Sequence, residues 1–246
     1  MTTLTAIIGG TGLSRLSHFT ADRRESVTTP YGPPSADLLF GKLHGQDVIF
    51  LARHGDPHVY PPHRINYRAN IWALKNAGVT SILAVAAVGG ITPAMAPARI
   101  AVPDQLIDYS YGRDHTFFDK DLEQVTHIDF TEPYTPWLRD KLLNAASIAG
   151  IDVVNRGVYG CTQGPRLETP AEISRMERDG CDIVGMTGMP EASLARELDI
   201  DYACCAVVAN WAAGKQTGEI TMAEIEANLH QGMADFAQIL LHWVQS

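Results

Sequence analysis

The amino-acid sequence predicts an α/β fold around a mostly parallel β-sheet. Three observations support this. Short apolar runs of strand length recur along the chain, helical stripes fall between them, and several of those helices carry start signals. The runs are continuous rather than alternating, which marks strands covered on both faces.

Ala6-Ile7-Ile8 is the first strand. Residues 38–43 and Val48-Ile49-Phe50-Leu51-Ala52 read as a hairpin. Tyr67, Ile71 and Leu74 follow an i, i+4, i+7 stripe, and Gly78 is the stop. Ile82-Leu83-Ala84-Val85 is the next strand, 137–149 a helix and 152–160 a further strand. Thr169 then begins a helix with Pro170 at its first position and Glu172 closing a capping box. Residues 182–184 and 202–208 are strands, with a helix over 190–198 between them. The last helix opens with a second capping box, Thr221 to Glu224, and carries the stripe Ile225, Leu229, Met233, Phe236 and Leu240. No linker or composition break divides the chain, so one domain over 1–246 is expected.

The charge balance is 28 acidic against 19 basic residues, net −9, with no dense Lys/Arg run. That disfavours nucleic acid and anionic membranes as partners. No apolar run is long enough to span a bilayer, and the first residues lack a signal peptide's basic segment. Cys161, Cys181, Cys204 and Cys205 form no C-x-x-C pair, which fits reduced thiols in a cytoplasm.

In such folds ligands sit at the carboxyl ends of strands, and the chemistry-bearing residues fall there. Gly9-Gly10-Thr11-Gly12 follows the first strand and offers backbone donors and a hydroxyl to an anion; a dinucleotide fingerprint would need glycine where Arg15 stands. Arg53 and His54 follow the second apolar run, Arg53 with a planar fork suited to phosphate and His54 with a further donor. The small residues of Ala86-Ala87-Val88-Gly89-Gly90 permit backbone donors to face a ligand, or form a close-packed turn. Thr187 lies ahead of a helix whose N-terminus suits an anion, and Met186 can cover a sugar face. Glu168 sits just outside a rigid helix end, and Asn210 closes an apolar strand. A carboxylate and an amide can together read a 6-oxopurine: the first accepts from N1–H, the second donates to O6 and serves N7. His54, Asp56, His58 and His63 match no standard zinc spacing, so no metal is expected.

In this order, IIGGTGL at 7–13, TPYGPPS at 29–35, LARHG at 51–55, NYRANIWALK at 66–75, QGPRLETPAE at 163–172 and GMTGMPEA at 185–192 resemble the purine nucleoside phosphorylase and methylthioadenosine phosphorylase family nearly end to end. The resemblance implies one α/β domain with a large twisted mixed sheet flanked by helices, assembled as a homotrimer or a dimer of trimers. It implies phosphorolysis: inorganic phosphate, the co-substrate, attacks the sugar C1′ and the purine leaves, with no cofactor. It implies phosphate contacts from Thr11, Arg53, His54, Ala86, Ala87 and Thr187, with Met186 at the ribose. Asn210 and Glu168, the catalytic pair, would hold the base with Ala212 nearby. Met222 would lie near the 5′ substituent, and His127 would reach the neighbouring subunit's site. Two departures matter. Ala86 stands where relatives carry Thr, Ser or Asn, removing a side-chain donor. Glu168 and Asn210 match the 6-oxopurine branch, although LARHG and NYRANIWALK look like the methylthioadenosine branch. With the soft apolar Met222, these residues imply a hypoxanthine base on a 5′-methylthio sugar. The alternatives are a general inosine/guanosine phosphorylase, a methylthioadenosine phosphorylase, a nucleoside sensor without catalysis and a metal hydrolase.

Overall fold

The computed structural model describes residues 4–10, 19–120 and 122–245. Its strands are β1 (Thr5–Gly9), β2 (Phe19–Glu25), β3 (Leu38–Leu43), β4 (Gln46–Ala52), β5 (Ser81–Gly90), β6 (Ile100–Val102), β7 (Gln105–Asp108), β8 (Val153–Asn155), β9 (Val158–Cys161), β10 (Ile183–Gly185) and β11 (Asp201–Trp211). The helices are α1 (Tyr67–Asn76), α2 (Pro136–Ala149), α3 (Pro170–Arg178), α4 (Gly188–Glu197) and α5 (Met222–Gln245). Among the described residues, eleven strands join one mixed sheet whose centre, β4-β1-β5-β11, is parallel.

The apolar runs are central because they are covered twice. Along β5, Ile82, Ala84, Ala86 and Val88 face one core with Tyr67, Ile71 and Leu74 of α1 and Leu194 of α4. Leu83 and Val85 face the other, with Leu138 and Leu142 of α2 and Phe236 and Leu240 of α5. Burial of each Leu, Ile, Val or Phe among them is worth about 1.5–3 kcal/mol.

Three expectations are corrected. The run 152–160 is two strands, β8 beside β6 and β9 between β7 and β10, because Arg156 (φ 81°) and Gly157 (φ 140°) take left-handed backbone between them. β5 continues through Ala86–Gly90, so the expected turn there is strand. Met189 and Pro190 have non-helical backbone, so the helix over 190–198 is kinked at its start. Strands β2, β6 and β7 escaped the apolar criterion; β2 is an exposed, charged edge pairing only with β3.

β5 organises the site. β11 occupies one edge along nearly its whole length. On the other edge β1 pairs only as far as Ala84, and β10 rejoins, antiparallel, at Gly89 and Gly90. Residues 85–88 therefore border an opening in the sheet. Ala87 is exposed within an otherwise buried strand.

The capping box of α3 forms as expected: Thr169 Oγ1 accepts from Glu172 N at 3.2 Å and Glu172 Oε2 accepts from Thr169 N at 2.7 Å. Hydrogen bonds from Arg166, then from the Thr169 backbone, hold the Glu172 carboxyl down at about 2. Thr169→Ala is expected to cost about 1 kcal/mol. The Glu172 contribution is complete above its ordinary value of 4.5 and vanishes as pH falls towards 2. Glu172→Gln should therefore lower the denaturation midpoint at pH 7 but not near pH 2; an equal loss at both would contradict the role of the ionised carboxylate. The second box is half formed. Thr221 Oγ1 accepts from Glu224 N, but the Glu224 carboxylate takes the Gln216 amide at 3.4 Å.

Candidate active site

A cavity of about 470 Å³ lies over the opening beside β5. It gathers Arg53, His54, Ala86, Ala87, Thr187, Met186, Glu168, Asn210 and Ala212 from across the chain. Thr11 falls outside the described residues.

Asn210 owes its position to a β-bulge. Val208 pairs with Val88 but Asn210 pairs with Gly89, so Ala209 is the extra residue. Such a bulge re-aims the following side chain. The Ala209 carbonyl is taken by the Asn228 amide of α5 at 2.8 Å. Asn210 Nδ2 donates to Trp211 O at 2.7 Å. One amide hydrogen and the Oδ1 oxygen remain for a ligand.

Glu168 is fixed from the helix-cap side, and its Oε1 accepts from the Thr162 hydroxyl at 2.6 Å. Its side chain also borders a second, polar cavity of about 450 Å³. Gly164 (φ 59°) brings the loop close to Met186: a Cβ there would lie 2.4 Å from the Met186 sulfur.

Arg53 departs from expectation. It is only 2% exposed, and its fork grips a carboxylate of the protein itself. Nε and Nη2 donate to Glu191 at 2.6 and 2.7 Å, Nη1 to Val85 O at 2.9 Å, and Nη2 reaches Ile8 O at 3.5 Å. Four of five guanidinium hydrogens are thus engaged, leaving one for an anion. Burial opposes the Arg53 charge, but Glu191 more than restores it, raising its affinity for the proton. Tyr202 OH donates to Glu191 Oε1 at 2.8 Å, closing a buried triad.

His54 also differs. Its Nδ1 lies 2.9 Å from Tyr60 O, and a carbonyl only accepts, so Nδ1 carries hydrogen. Burial, then the Arg53 charge, pushes His54 down to about 4. At neutral pH the ring is uncharged and its Nε2 is an acceptor, not the expected donor. Its ring stacks on His58 with centroids 4.3 Å apart. Among the described residues no three His, Cys, Asp or Glu side chains are grouped to hold a metal ion.

Thr187 precedes α4 and is buried, and its hydroxyl does not cap the helix. One expected residue lies elsewhere. Met222 is 66% exposed on the first turn of α5 and does not line the cavity; Ile220, Ile225 and Leu229 form the apolar wall. The N-terminal half of α5 overhangs the core, which its later residues Phe236, Ile239 and Leu240 fill. His127 is exposed on an irregular segment away from the cavity.

Sequence reasoning missed three supporting residues. Glu191 lies inside GMTGMPEA but reads as an ordinary helix carboxylate. Arg113 gave no signal, yet it is buried and donates to Thr162 O, Gln163 O and Met186 O, tying the Glu168 loop to the Met186 segment. Thr162 sits one residue before QGPRLE.

The Phosphorylase superfamily matches residues 5–245. A probable S-methyl-5'-thioinosine phosphorylase from Pseudomonas syringae pv. tomato is 61% identical over 231 residues, covering 94% of this chain and 94% of that one. A 6-oxopurine nucleoside phosphorylase from Pyrococcus furiosus is 44% identical over 243 residues, covering 96% and 90%. Among solved structures, methylthioadenosine phosphorylase from Schistosoma mansoni in complex with adenine superposes with a TM-score of 0.93 at 32% identity, covering 99% of this chain and 91% of that one. With the family match spanning nearly the whole sequence and the resemblance of its motifs now joined by that of its fold, the chain belongs to the phosphorylase superfamily.

Proposed function

We propose that this protein catalyses phosphorolysis of S-methyl-5'-thioinosine, releasing hypoxanthine and 5-methylthioribose 1-phosphate. One observation carries the reading: Glu168 and Asn210 line the same cavity as Arg53, His54, Ala87 and Thr187. The base-reading pair and the anion donors thus share one chamber. The apolar wall of Ile220, Ile225 and Leu229 suits a methylthio group, a role first assigned to Met222. The 61% identity to a probable enzyme of this name supports the same substrate.

The chemistry follows from donor counting. Glu168 Oε2 accepts from purine N1–H. The free Asn210 amide hydrogen goes to O6, and once N7 has taken a proton from solvent, Oδ1 accepts the hydrogen bond from N7–H of the departing base. Alternation along β5 puts the Ala87 N–H on the edge that Val85 O shows to Arg53, where the sheet is open. That N–H, the Thr187 hydroxyl and the remaining Arg53 hydrogen bind phosphate, and Thr11 joins them; the Thr187 and Met189 N–H groups at the start of α4 are taken by Tyr159 OH and Cys161 Sγ. His54 Nε2 accepts from a phosphate hydroxyl. The Arg53 charge is matched by Glu191 and His54 is neutral, so the anion is held by directed donors more than by net charge. Positioning phosphate below C1′ in this way supplies about 7–11 kcal/mol in favourable cases.

We further propose that His127 completes the site of a neighbouring copy in a homotrimer or a dimer of trimers. Leu122 and Val125, 45% and 73% exposed on the same segment, suit burial between subunits. The four cysteines are free and buried, which fits a cytoplasmic enzyme.

Purified protein incubated with methylthioinosine, methylthioadenosine, inosine and adenosine, with and without phosphate, is expected to release base fastest from methylthioinosine and only with phosphate. Equal or faster release from inosine would favour a general 6-oxopurine phosphorylase. Phosphate-independent release would overturn the mechanism.

A further inference from the structure

Thr162 is buried and acts from behind the base site: it borders the second cavity and does not line the nucleoside chamber. Its main chain is locked at both ends, with N donating to Gly185 O at 2.8 Å and O accepting from Arg113 Nη2 at 3.1 Å. The hydroxyl has one hydrogen and two acceptors within reach, Glu168 Oε1 at 2.6 Å and Gly185 O at 3.3 Å. The shorter, charge-assisted bond takes it.

We propose that Thr162 is a positioning residue for base selection: its hydroxyl pins Glu168 Oε1 and so aims Oε2 at the N1–H of a 6-oxopurine. This rests on Glu168 being the carboxylate that reads the base. Gly185 precedes Met186 and Thr187, and Arg113 also donates to Met186 O at 2.9 Å. Thr162 is therefore fixed through its main chain to the segment that faces sugar and phosphate, and its hydroxyl sets Glu168 in register with them. Without that bond the carboxylate can turn towards the second cavity, where Arg166 and Arg175 stand. A 6-aminopurine has no N1–H to offer, so its turnover does not depend on where Oε2 points. Thr162 selects by holding the acceptor that only the oxo base can use.

The test compares Thr162→Val, Thr162→Ser and Glu168→Ala with the unaltered protein, on methylthioinosine and methylthioadenosine. Valine keeps the branched shape and deletes the hydroxyl. Thr162→Val is expected to lower kcat/KM on methylthioinosine roughly tenfold. Turnover of methylthioadenosine and KM for phosphate should stay within about twofold, and Thr162→Ser should return methylthioinosine turnover to about the same margin. An unchanged Thr162→Val overturns the proposal. So does a loss shared by both nucleosides and by phosphate KM, or a serine variant as poor as valine. If Glu168→Ala is itself unchanged on methylthioinosine, the base-reading role fails and the proposal falls with it. If Glu168→Ala is impaired and Thr162→Val is not, only the role of Thr162 is lost.

Discussion

Asn210→Ala is expected to lower kcat on 6-oxopurine nucleosides by about a hundred- to thousandfold, the usual cost of removing one donor aimed at developing charge. As the glycosidic bond breaks, electrons move into the purine, and O6 and N7 become the most basic points of the leaving group. Asn210 meets both: its free amide hydrogen goes to O6 and its Oδ1 accepts from the N–H formed when N7 takes a proton from solvent, the other amide hydrogen being spent on Trp211 O. Glu168→Ala should lose a comparable amount by leaving N1–H without an acceptor. The sharper experiment is Asn210→Asp. A carboxylate accepts but does not donate, so it opposes O6 and suits an exocyclic amine. The ratio of methylthioinosine to methylthioadenosine turnover should fall, because a buried polar mismatch rejects the wrong base strongly. Near-normal rates in both alanine variants, or an unchanged ratio in Asn210→Asp, would remove the assigned base contacts.

How far the sequence displayed this site depends on how each residue is placed. Glu168 was legible because its position follows from a local cap: Thr169, Pro170 and Glu172 fix the helix start, and the box forms as expected. Asn210 was legible only as the end of an apolar strand. The bulge that turns it into the cavity arises from pairing with β5, which no local pattern announces. Gly89-Gly90 looked like a turn because glycine usually punctuates strands. Here a Cβ at Gly90 would fall 1.9 Å from Met95 O, so glycine serves close packing within β5. The central strands showed themselves through two-sided burial; β2, exposed and charged, had no such signal. Arg53 was found by its place after a strand, but its partner lies 138 residues away, and a spacing argument cannot see it.

That partner sets the largest stability effect. Glu191→Ala is expected to destabilise the protein by about 3–5 kcal/mol, the cost of leaving a buried charge without its mate. Arg53 is 2% exposed and Glu191 is 0% exposed, so water cannot replace the lost carboxylate. Tyr202 OH would lose its acceptor as well. Arg53→Met should destabilise for the converse reason, stranding the carboxylate. Replacing both, as Arg53→Met with Glu191→Leu, should recover much of the loss, because a well-packed apolar pair often equals a buried ion pair. Activity should behave differently. The double variant removes the Arg53 hydrogen available to phosphate, so KM for phosphate should remain raised even as the denaturant midpoint returns. Recovery of both together would show that the triad only supports the fold. Recovery of stability alone would show that Arg53 serves phosphate as well as the fold, its guanidinium standing at the opening beside β5, where its last hydrogen can meet the anion.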